Sequence, residues 1–197
     1  MLTISDIRNA LIGSFLLAKN DTSGLKFFDL EIDGFWRSFL IIVPIAPLYM
    51  LYALQDVQVA HEINPQNAYL VANTGFIVAK IILLMIGWLI FPIAMIFITR
   101  LLNLWPKYIP FIATYNWVSL FIMLLFAPSA LLYFAGLFSA QMASMLNFLV
   151  TLFAIYFSWF IAKTVLETTA ITAALIVVFD FTLSLLAHGL FNRLTGY

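Results

Sequence analysis

Five runs of mainly apolar residues, roughly 35–54, 76–99, 111–135, 144–163 and 169–190, dominate this chain. Each is close to the ~20 residues that an α-helix needs to cross the hydrocarbon core of a bilayer. No water is available there to the backbone, so such a run must satisfy its own hydrogen bonds as a helix. With 64% hydrophobic and 9% charged residues and a mean hydropathy of +1.07, the chain is far from the ~45–50% apolar and ~25% charged make-up of a soluble domain. The expected fold class is all-α: a polytopic membrane protein with five transmembrane helices preceded by an interfacial amphipathic helix.

The region 111–163 is long enough to be cut into three short pieces. Two spans are preferred, because Ser139-Ala140-Gln141 is the one good break and Pro128 is tolerable as a kink inside a membrane helix. Ahead of the first span, Ile4, Ile7, Leu11, Ile12, Phe15 and Leu16 recur at helical spacing among polar residues. That pattern predicts a helix lying on the membrane surface, opened by a Thr3–Asp6 capping box and ended by the turn-like Lys19–Gly24. The expected organisation is a cytoplasmic segment at 1–34, a five-helix domain at 35–190 and a short external tail at 191–197. Asp6, Arg8 and Asn9 interrupt the place where a cleavable signal would have its apolar core, so the mature chain is expected to start near Met1.

Loops held on the cytoplasmic side are enriched in Lys and Arg. With five spans, Arg8, Lys19, Lys26, Arg37, Arg100, Lys107 and Lys163 all fall on one side. The other side has Arg193 in the tail, while the loop Gln55–Gly75 has no basic residue. The N-terminus is therefore expected in the cytoplasm, the C-terminus outside and the location in a cytoplasmic (inner) membrane. Trp36, Tyr52, Tyr69, Trp105, Tyr108 and Trp159 are expected as interface anchors.

The 9 basic and 9 acidic residues balance, so no global field attracts nucleic acid. The expected partners are the lipid bilayer and other membrane proteins, including further copies of the chain. The absence of cysteine excludes disulfides, thiolate metal sites and a cysteine nucleophile. No phosphate-binding glycine loop, G-x-S-x-G or H-E-x-x-H occurs, so no enzyme activity, cofactor or metal is expected.

Asp180, in VFDFT, is the most informative single residue, since an acid near the middle of a span is costly and usually pairs or faces water. Lys80 is the other charge well inside a span and is expected to reach Asp180 if the second and fifth helices touch. The pair reads either as a structural contact, which is favoured, or as an ion or proton site. Asn116 and Asn147 are expected to bond between helices, as is Asn73. Asp56, His61, Glu62 and His188 read as a solvated outer surface in preference to a metal site, and Lys163 with Glu167 as an ordinary i, i+4 ion pair.

In FFDLEIDGFWRSF the acids Asp29, Glu31 and Asp33 alternate with Leu30 and Ile32, which predicts a short extended, half-buried segment. Asp33 is placed to cap the first spanning helix. Arg37 is expected to pair with one of the acids, beside Trp36 as an interface anchor. Asp29, Glu31, Asp33, Trp36 and Arg37 together form the expected cytoplasmic docking surface.

The stretch LIGSFLLAKNDTSGLKFFDLEIDGFWRSF, Leu11 to Phe39, is similar to the N-terminal stretch of bacterial members of the Yip family. The five closely spaced spans behind it resemble that family's topology over the whole chain. The resemblance implies a five-span fold; eukaryotic members are implied to bind small GTPases and shape secretory membranes, but this chain lacks a long cytoplasmic domain for that. The expected function is non-enzymatic, as an accessory, scaffold or complex subunit acting by lateral helix association. The alternative is a small transporter or channel component using Asp180 and Lys80.

Overall fold

The computed structural model describes residues 2–63 and 74–195. Among them are seven α-helices: α1 Ile4–Ala18, α2 Ile32–Phe39, α3 Ile42–Ile63, α4 Thr74–Leu101, α5 Tyr108–Phe134, α6 Ala140–Val165 and α7 Ala170–Thr195. Short 3-10 segments sit at Thr22–Phe27 and Trp105–Lys107. Five segments are long and apolar enough to cross a membrane, with α2 and α3 together making the first. Asn73 and Tyr69, singled out in the sequence, lie outside the described residues.

The expected single helix at 35–54 is broken and longer. Leu40 and Ile41 separate α2 from α3, and Pro44 explains the break, since its ring clashes with the carbonyl four residues back, that of Leu40. At the other end α3 continues to Ile63. Gln55, Asp56, His61 and Glu62 are thus helical and not part of a loop; nothing between Ala53 and Ile63 is a Gly or Pro that would stop the helix. Tyr52 is accordingly within α3, with its ring 5.1 Å from that of Phe126, and is no boundary anchor.

The break between α5 and α6 falls where the sequence placed it. Gly136 turns the chain at φ 72°, and Ser139 caps α6 by accepting from Met142 N. Likewise α7 runs on to Thr195, so the expected tail at 191–197 begins as helix.

The spanning helices close a ring, α3 on α4, α4 on α7, α7 on α6 and α6 on α3, with α5 packed against α3 and α6. The stretch Phe111–Val118 of α5 is buried except for the half-buried Tyr115. The α1 capping box forms as expected, Thr3 and Asp6 each bonding the other's backbone N–H. The face that α1 buries, however, is Ala10, Gly13, Ser14 and Leu17, mostly small residues that let it approach the Thr22–Phe27 turn and α5 closely. Ile4, Ile12 and Phe15 are exposed on the opposite side, an arrangement compatible with an interfacial helix.

Candidate functional site

A cavity of about 380 Å³ opens inside the ring, walled by residues of all five spanning helices, α3 to α7. The polar members of the α7 wall are Asp180, Ser184 and His188, each four residues from the next and so on one helical face. Asp180 is ten residues into α7, about 15 Å from its start by the helical rise, which puts its carboxyl near mid-span.

Asp180 Oδ2 accepts from the Tyr115 hydroxyl at 2.9 Å. Among the described residues no hydrogen bond or ion pair reaches its other oxygen. The cavity wall as a whole is largely hydrocarbon and aromatic, with Tyr49, Trp88, Phe126 and Phe181 among its members. The hydroxyl of Ser119 donates to the Tyr115 carbonyl and that of Thr151 to the Asn147 carbonyl, so both are satisfied locally. Gly87 also lines the cavity, and a Cβ built there would meet nothing within 4 Å.

The expected Lys80–Asp180 pair does not form. The Lys80 ammonium lies 5.4 Å over the Phe76 ring, and the charge that acts on it is Asp56 of α3, which His188 also faces. Helices α4 and α7 do touch, but Lys80 is near the start of α4, and α4 and α7 place it at the depth of His188 rather than of Asp180. The partner that the sequence reading missed is Tyr115. A tyrosine inside an apolar run beside Asn116 was its only signal.

The two asparagines do join helices. Asn116 Nδ2 donates to Ser38 Oγ at 2.9 Å, tying α5 to α2, and Asn147 Nδ2 donates to Gln55 Oε1 at 3.2 Å. Gln55 Nε2 in turn donates to Ser129 Oγ at 2.8 Å, so that one buried glutamine pins α3, α5 and α6. The sequence reading ended its first span at residue 54 and left Gln55 outside.

At the N-terminal end, Arg37 pairs with Asp29, as one of the expected acids, and also with Asp6 of α1 at 3.3 Å. The segment Asp29–Glu31 is non-helical, but α2 starts at Ile32 with Glu31 at the cap position and no side-chain cap. Asp33 is therefore in the first turn and not the cap; Asp29 instead folds onto the Glu31 N–H at 3.1 Å. Glu31, Asp33 and Trp36 are exposed, Trp36 at 66%. Of the expected docking surface, then, two members are consumed in an internal ion pair and three face outward. Glu167 does not pair with Lys163: it pairs with Lys107 across the turns, while Lys163 lies over the Trp159 ring at 5.3 Å. Glu167 adopts φ 51° at the helix end, a left-handed turn that swings its side chain away from α6.

The chain matches no family model, no curated protein and no solved structure.

Proposed function

We propose that this is a non-enzymatic, ligand-binding integral membrane protein, a small transporter component in which the cavity at Asp180 is the binding site. The observation that supports it is the meeting of all five spanning helices around one space with a single carboxyl in its wall. Cavities of ~300–1,000 Å³ with apolar walls and few polar groups are the usual form of small-molecule sites. Lys80 has no part in this reading; Asp180 and Tyr115 carry it. The protein is placed in a cytoplasmic membrane with its N-terminus inside, on the strength of the basic residues gathered at one end. The Yip-like stretch Leu11–Phe39 adds a topology to this proposal and no activity.

Wild type and Gly87→Phe, purified in parallel in mild detergent, test the reading by mass spectrometry of extracted small molecules. A species held by wild type and depleted in the filled variant supports a cavity ligand. Identical extracts, together with a co-purifying membrane protein, would favour the accessory-subunit role instead.

A further inference from the structure

The walls of the cavity carry information about the charge of what they hold. An ionised carboxyl at mid-span needs a partner, and the described residues supply Asp180 with one hydroxyl, from Tyr115, and no cation. Lys80 lies over the Phe76 ring instead, and His188 is two helical turns away along α7. The walls of the same cavity include the aromatic residues Tyr49, Trp88, Phe126 and Phe181, and the faces of such rings are electron-rich and attract cations. A hard metal ion does not suit the site, because Ca²⁺ takes ~6–8 oxygen ligands and the wall is mostly hydrocarbon.

Resting on the reading of this cavity as a binding site, we propose that its ligand is a lipophilic organic cation, an amine or onium ion. Its positive centre lies against the free oxygen of Asp180, and its apolar body fills the space between the aromatic walls of α3, α4, α5 and α7. Tyr115 acts as the positioning residue, holding the carboxyl toward the cavity through Oδ2.

Tetraphenylphosphonium and tetraphenylborate, matched in shape and opposite in charge, provide the test. Binding to the detergent-solubilised full chain is measured by equilibrium dialysis, with protein-free micelles subtracted. The phosphonium should bind at least about tenfold more tightly than the borate, should lose about tenfold in Asp180→Asn, and should be unchanged in Lys80→Gln. The comparison of the two ions on wild type needs no variant, so misfolding of Asp180→Asn leaves the proposal exposed. Equal binding of both ions, or phosphonium binding that survives Asp180→Asn, overturns it. If neither ion binds while a small molecule still co-purifies with wild type and not with Gly87→Phe, the cation class is wrong and the binding function stands. If neither ion binds and nothing co-purifies, both fall.

Discussion

Single residues in this protein matter chiefly through polar contacts made where water is absent. Gln55 is fully buried and holds Ser129 and Asn147 at once. Replacing it with Leu fills a similar volume but leaves the Asn147 amide without its partner, in a place where the second Asn147 group, Oδ1, is already unsatisfied. Interhelical hydrogen bonds in membranes average ~0.6 kcal/mol, and a stranded buried polar group adds ~1–3 kcal/mol. Gln55→Leu should therefore lower the detergent melting temperature clearly, whereas the exposed neighbour Gln58→Leu should leave it nearly unchanged. Equal melting of both variants would mean that the α3–α5–α6 pin is not used. The candidate site was legible at this scale only in part. Asp180 declares itself by being an acid in an apolar run, but Tyr115 does not, because tyrosines are common in such runs and only proximity picks one out.

At the scale of elements, the N-terminal segment is held by shape as much as by charge. The backbones of α1 and the Thr22–Phe27 turn meet at Gly13 and Gly24: a Cβ on Gly13 would stand 2.7 Å from the Gly24 carbonyl oxygen and 2.9 Å from the Phe28 ring. That contact is with backbone and cannot yield by a side-chain rotation. Gly13→Ala should cost about 1–3 kcal/mol as an overpacking change and loosen α1, seen as faster limited proteolysis between residues 19 and 31. By contrast Gly87→Ala, with open space at its Cβ, should be neutral or gain up to ~1 kcal/mol from helix propensity. If the two substitutions behaved alike, the close approach of α1 to the turn would be wrong. The helices themselves were legible to within about five residues except in the first span: its break at Leu40 and Ile41 was not read, and the C-terminal part of α3 reads as loop by composition but folds as helix because nothing in it breaks the backbone ladder.

For the whole molecule, the basic residues test orientation. The turns that carry Arg100, Lys107 and Lys163 lie at the end of the bundle where α1 and α2 dock: Lys107 pairs with Glu167, and Asn20 accepts from the Tyr156 hydroxyl at 2.8 Å. If that end is cytoplasmic, a reporter active only after export should be silent when fused after Trp105 and active after Tyr197. The reverse pattern, or activity at both points, would overturn the orientation. The sequence by itself determined the number of spans, the break before α6, the α1 cap and the end of the bundle where positive charge collects. These follow from local hydropathy, capping chemistry and charge, each of which acts over a few residues. Tertiary structure decided which partners the charged and polar groups took: Tyr115 for Asp180, Phe76 for Lys80, Lys107 for Glu167, and the space at mid-span itself. Those choices depend on the rotation and depth of each helix against its neighbours, which packing of five apolar surfaces sets and no pattern along one helix encodes.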